Sequence, residues 1–203
     1  CKNSDSDCVM SGVGSHFGSF INNTITNCGN GAWGCLGNGQ NNNIAIVGNT
    51  VGPNWHGIQP YPANNDVITI QNGANILIDS NIAKGPQTNC IDVGQYSAPS
   101  QPTNGVIVRY NDTFDCANTR GVGDWTGQVI KFSGDSPSST SSFNNILYKN
   151  VVRYTSANQT SRNGGIFFRN VDATSILGTS FFRSLPWQMV WSRSDTAGSC
   201  RRR

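Results

Sequence analysis

Ile76-Leu77-Ile78-Asp79-Ser80-Asn81-Ile82-Ala83 reads as a short alternating strand, an Asn, and a second short strand. The same form recurs in residues 20–25 around Asn23, 44–51 around Asn49, 106–113 around Asn111 and 146–152 around Asn150. Residues 176–182 give a sixth copy, with Ser180 in the place of Asn. The marker positions lie 26, 32, 30 and 39 residues apart, and Ser180 follows after a further 30. Such repetition predicts stacked structural units, because one short unit cannot bury its own apolar face.

A second family of short strands alternates with the first. It comprises residues 33–36, 56–61, 90–94, 129–132 and 165–169, and residues 187–191 close the series. Residues 66–71 read as an extra strand in the loop between Tyr61 and Asn75. Coils stacked at about 4.8 Å would make a rod roughly 25 Å long. An Asn at the same place in successive coils would form a ladder, worth ~1 kcal/mol per bond. The rival architecture is a β-sandwich. Its strands need short hairpins, and Asn72-Gly73 is the main turn dipeptide at hairpin spacing.

Composition supports an all-β chain. The 203 residues include 26 Asn, 23 Gly, 22 Ser and 15 Thr, so turn formers dominate and a helical bundle or coiled coil is excluded. Recurrent Ile, Val, Phe and Tyr argue against disorder. The formal net charge is +3, and Arg201, Arg202 and Arg203 supply three of the positive charges. No basic stripe with interleaved aromatics points to nucleic acid. No apolar run reaches the roughly 20 residues of a membrane span. The opening at Cys1 reads as a mature form or a fragment, and the Arg tail as a processing site or a truncation scar.

Seven cysteines without paired zinc spacing predict disulfides, with their pairing open. Sequons begin at Asn22, Asn111 and Asn158. Together these features predict a secreted or cell-surface protein.

On the strand–Asn–strand repeats the chain resembles the right-handed parallel β-helix superfamily, of which pectate lyases are members. The resemblance spans roughly residues 17–184. It implies a single domain over residues 1–203, a right-handed solenoid of about five to six coils with an Asn ladder. Residues 1–16 and 185–203 would be capping or terminal segments. It further implies three strands per coil, with sugars bound along the outer face of the first strands.

Alternation then places Ile58, Ile91, Ile130 and Ile166 inward, and Gln59, Asp92, Lys131 and Phe167 outward in one row. Tyr61, Gly94, Ser133 and Arg169 form the next outward row. Long neighbouring loops carry Arg120, Asp124, Trp125 and Arg162.

A polysaccharide lyase needs a base and a cation that stabilises the enolate-like intermediate. By resemblance, Lys131 is the base, Arg169 the carboxylate clamp and Asp92 a ligand of Ca2+. Gln59, Tyr61, Arg120, Trp125 and Arg162 would bind the polysaccharide. One physical objection arises, since an aspartate one coil away stabilises the ammonium and weakens Lys131 as a base. The competing reading is an ion pair between coils without catalysis. The related hydrolase pattern needs an Asp-Asp pair, which the chain lacks. Two function classes therefore stand: a secreted protein acting on or binding acidic glycans, and a non-catalytic fibre or adhesin module. In the second, exposed coil ends invite self-association.

Overall fold

The computed structural model describes residues 2–4, 9–11, 16–28, 36–39, 42–52, 66–85, 89–94, 103–114, 116, 129–133, 142–154, 166–169, 171–172, 175–178 and 180–183. The strands found there pair in parallel.

Three large sheets share the chain. The first holds Val9–Ser11, Leu36–Gly39, Ile68–Gln71, Ile91–Gly94, Ile130–Ser133 and Ile166–Arg169. The second holds His16–Ile21, Asn42–Val47, Leu77–Asp79, Ile107–Arg109, Ile146–Tyr148 and Ser175–Leu177. The third holds Lys2–Ser4, Thr24–Cys28, Thr50–Val51, Ile82–Lys84, Asp112–Phe114, Val151–Tyr154 and Ser180–Arg183. From Val9 onward the chain visits the first, second and third sheets in turn and then starts again. A fourth sheet of two-residue strands, Thr103–Asn104, Ser142–Phe143 and Val171–Asp172, enters just before the second sheet.

Each sheet sends a column of apolar side chains into one core. The second sheet contributes Ile46, Ile78, Val108 and Leu147, aligned in register on successive strands. The first contributes Ile68, Ile91 and Ile130, and beside them Ile70, Val93 and Phe132. Ile25, Val51, Ala83 and Val152 come from the third sheet. Each fully buried Ile, Leu or Phe adds about 1.5–3 kcal/mol. Residues 76–83 thus place Ile76 and Ile78 inside and Ser80 at an exposed bend.

The expected ladder forms between the second and third sheets. The side-chain oxygen of Asn49 accepts from both the backbone N and Nδ2 of Asn23, each at 2.9 Å. The same two bonds link Asn49 to Asn81 and Asn81 to Asn111, also at 2.9 Å. Asn111 repeats them onto Asn150, at 3.0 and 2.9 Å. Residues immediately before the ladder positions have left-handed backbone: Asn22, Gly48, Ser80, Tyr110, Lys149 and Gly178. That conformation costs non-glycine residues about 1–2 kcal/mol each, and the ladder bonds offset it.

Register also corrects the sequence reading. Ile91 pairs with Ile68, and Ile68 with Leu36. Residues 68–71 are therefore the first-sheet strand of their coil, and not an insertion beside 56–61. The Ile-Thr-Ile-Gln alternation suits a half-polar strand, whereas Pro60 would leave a central strand without one donor. Val151, one place after the ladder residue Asn150, pairs with Ser180, so Ser180 does not align with the ladder. Within residues 1–16, Lys2–Ser4 and Val9–Ser11 are the terminal strands of the third and first sheets.

A second column of left-handed bends was not foreseen. Phe17, Asn43, Asn75, Gly105 and Asn144 all have φ between 53° and 62°, and all lie just before or at the start of the second sheet. Asn and Gly accept that geometry most readily, which explains four of the five residues.

Candidate functional site: a buried polar row and an exposed basic corner

The polar side of the first sheet carries Asp92 and Lys131, two of the residues singled out from sequence. Asp92 and Lys131 are register partners on adjacent strands, and Lys131 is in line with Phe167. Gly94, Ser133 and Arg169 align in the next row, as expected. The place expected for Gln59 is taken by Thr69, and that for Tyr61 by Gln71. Gln59, Tyr61, Arg120, Asp124, Trp125, Asn158 and Arg162 lie outside the described residues.

This side of the sheet is not open. Asp92 is 1% exposed and Lys131 7%. Lys131 Nζ donates to Asp92 Oδ2 at 2.8 Å. Asn89 Nδ2 donates to the same oxygen at 3.4 Å and to Asp66 Oδ1 at 2.7 Å. The Asn89 backbone N also reaches Asp66 Oδ1, at 3.2 Å, and the Thr69 hydroxyl bonds Asp66 Oδ2 at 3.4 Å. Asp66, Thr69 and Asn89 are buried as well.

Sequence reading missed Asp66 and Asn89. The signal was positional: each stands two residues before the inward Ile of its strand, Ile68 or Ile91, and aligning residues 56–61 with the first sheet concealed it.

Buried charges persist where they are paired and hydrogen-bonded, and this row meets that condition. A lysine held as an ammonium by a buried carboxylate has its proton in place and is poorly suited to remove one from substrate. The calcium expected at Asp92 does not fit these residues either. Calcium takes six to eight oxygens, whereas Asp92 Oδ2 already receives an ammonium and an amide. Among the described residues no three His, Cys, Asp or Glu converge on a metal position.

The outer surface of the second and third sheets has a different character. Phe114 lies between two cations from the adjacent coils, with Lys84 Nζ 5.7 Å and the Arg153 guanidinium 5.4 Å from its ring centre. Register makes Lys84, Phe114 and Arg153 successive members of one row. Across the bend, Tyr110 and Tyr148 meet edge-to-face at 5.4 Å. Arg109 is 5.9 Å from the Tyr110 ring centre, and Lys149 Nζ is 5.1 Å from that of Tyr148. Two carboxylates answer these cations: Asp79 binds Arg109 at 2.7 Å and Asp112 binds Arg153 at 2.7 Å. Lys84, Lys149 and Tyr110 are exposed.

Neighbouring groups also set the titration of these residues. A hydrogen bond from Lys149 holds the Tyr148 phenol below its ordinary value, helped by one from Tyr110. The same bond raises Lys149. Asp112 raises Arg153, first through its hydrogen bond and then through its charge.

Of the sequon residues, Asn22 is exposed. Asn111 is wholly buried, and its Nδ2 donates to Ile78 O at 3.0 Å and Asn150 Oδ1 at 2.9 Å. A glycan on that nitrogen is incompatible with the ladder, which corrects the expectation for Asn111.

A disulfide joins Cys90 to Cys116, with Cα atoms 5.4 Å apart. Cys90 immediately precedes the Ile91–Gly94 strand and Cys116 follows Asp112–Phe114, so the bridge closes one full circuit of the three sheets. Among the described residues no helix is long and apolar enough to cross a membrane. No family model, curated protein or solved structure matches the chain.

Proposed function

We propose that the chain is an exported right-handed parallel β-helix that binds acidic polysaccharide without cleaving it through Lys131. The cyclic order of the three sheets and the Asn ladder support a β-helix. The right hand follows from the strong preference of parallel crossovers. The disulfide agrees with an oxidising compartment.

The observation that carries the binding reading is the exposed corner. Four cations on consecutive coils each lie against an aromatic ring, and among the described residues two carboxylates answer them there. Aromatic faces receive the apolar faces of sugar rings, and Lys84 and Lys149, which are exposed and pair with no carboxylate among the described residues, favour uronate or sulfate groups. The buried Asp92–Lys131 pair speaks for a rigid scaffold in place of an eliminating base.

Affinity electrophoresis in gels containing polygalacturonate, alginate, chondroitin sulfate or neutral dextran tests this reading. Retardation by acidic polymers, reduced at least tenfold in affinity by Lys84→Gln with Lys149→Gln, is expected. Equal retardation by dextran, or none by any acidic polymer, would overturn it. Ultraviolet absorbance of unsaturated uronide ends, followed in the same mixtures, should stay flat. A rise that vanishes in Lys131→Ala would instead establish a lyase.

A further inference from the structure

We propose that Lys131 and Asn89 become joined by a side-chain isopeptide bond, with Asp92 carrying the proton. This inference is independent of polysaccharide binding. It rests on one arrangement: a primary amine and a carboxamide flank the same carboxylate oxygen in a water-poor interior. Lys131 Nζ is 2.8 Å from Asp92 Oδ2, and Asn89 Nδ2 is 3.4 Å from it. Asp66 fixes the amide by accepting from Nδ2 at 2.7 Å and from the backbone N at 3.2 Å. Carboxylates only accept, so the two of them dictate which way the Asn89 amide faces.

The chemistry balances without an outside reagent. A proton passes from the Lys131 ammonium to Asp92 along their hydrogen bond, which turns a buried ion pair into a neutral pair. The free amine attacks Asn89 Cγ, forming a C–N bond and a tetrahedral centre. Asp92 delivers the proton to Nδ2 and takes one from Nζ. The Cγ–Nδ2 bond then breaks and ammonia departs, leaving a secondary amide between the two side chains and a protonated Asp92. No atom is oxidised or reduced.

The stable ammonium argues against Lys131 as a base that must turn over repeatedly. It does not prevent a single event. Held groups react with very high effective concentration, and escape of ammonia makes a rare neutral pair sufficient. Burial of Asn89 and Asp92, each 1% exposed, excludes the water that would compete for Cγ. The product would tie neighbouring strands of the first sheet across a separation of 42 residues, beside the disulfide at Cys90.

Mass spectrometry of the purified, reduced and alkylated full chain tests this. The expected intact mass is lower than the sequence mass by one ammonia. Trypsin should fail to cut after Lys131, and fragmentation should find one branched peptide joining positions 89 and 131. Lys131→Arg and Asn89→Ala should each restore the full mass, and Asp92→Asn should leave most molecules unlinked.

The wild-type digest decides even if a variant does not fold. Recovery of a linear peptide ending at Lys131 together with unmodified Asn89 would overturn the proposal. So would loss of ammonia confined to an Asn-Gly pair, or loss of water through a link to Asp66.

Discussion

Asn111 and Asn150 occupy the same place in successive coils, and Asn111 Nδ2 donates to Asn150 Oδ1 at 2.9 Å inside the protein. Asn111 also accepts from Asn81 through both backbone N and Nδ2, and donates to Ile78 O. Asn111→Ala would orphan several buried polar groups at once. A loss of roughly 2–4 kcal/mol is expected, since each unsatisfied buried group costs about 1–3 kcal/mol. Asn23→Ala, at an exposed position, should cost clearly less. Urea denaturation of the two variants compares them directly. Equal losses would mean that the ladder contributes as a set of surface bonds only.

The Cys90–Cys116 bridge spans 26 residues. Closing a loop of that size in the unfolded chain stabilises the fold by about 3.5 kcal/mol in the chain-entropy account. Cys90→Ala with Cys116→Ala should therefore lower the denaturation free energy by about that amount, with a smaller change from Cys116→Ala in a reducing buffer. A double variant as stable as the parent in oxidising buffer would show that stacking alone holds this coil.

Much of the architecture was legible because the ladder imposes one residue type at one place per coil. Asn23, Asn49, Asn81, Asn111 and Asn150 announced the bend, the repeat length and the second and third sheets. The first sheet was harder, because no residue type marks it. Its inward positions accept Ile, Val or Phe alike, so Ile58 and Ile68 competed and only backbone pairing decides between them. The polar row was half legible. Asp92 and Lys131 could be aligned by alternation, but alternation says which side a residue faces and nothing of what covers that side. The cation–aromatic corner escaped notice because Tyr110 and Tyr148, and likewise Lys84, Phe114 and Arg153, lie about 30 to 40 residues apart and meet only when their strands pair.

Tyr148 and Lys149 give a pH-dependent test of that corner. The hydrogen bond from Lys149 lowers the phenol from its ordinary 10.0, and the same bond raises Lys149 from 10.5. A lowered acid stabilises the fold above its unfolded value, and the effect fades as pH falls through the folded value. A raised amine stabilises below its unfolded value, and the effect fades as pH rises through the folded one. The pair therefore matters in alkaline solution, where phenolate and ammonium coexist. Ultraviolet phenolate titration, with Tyr148→Phe subtracted to isolate this residue, should give a midpoint below 10.0 that rises in Lys149→Met. At neutral pH, below both ordinary values, only the ammonium's share is present, and on this exposed side chain its loss in that variant should be small. A midpoint unmoved by Lys149→Met would show that the two side chains do not meet in solution.

Gly52 offers the sharpest test of coil spacing. Its φ is +96°, and its backbone N donates to Ile25 O at 2.8 Å in the preceding coil. A Cβ placed there would overlap the carbonyl oxygen of Lys84 in the following coil. That neighbour is backbone in a paired strand and cannot swing aside, so Gly52→Ala must part the coils or break the pairing of Thr50–Val51 with Ile82–Lys84. Gly48→Ala meets the side-chain amide of Asn22, an exposed group at a bend, and should cost only ~1–2 kcal/mol for its left-handed backbone. Gly52→Ala should exceed that by several kcal/mol, enough to remove the folded state near room temperature. Circular dichroism melts of both variants measure the difference, and similar melting temperatures would mean that the third sheet leaves room for a Cβ between Gly52 and Lys84.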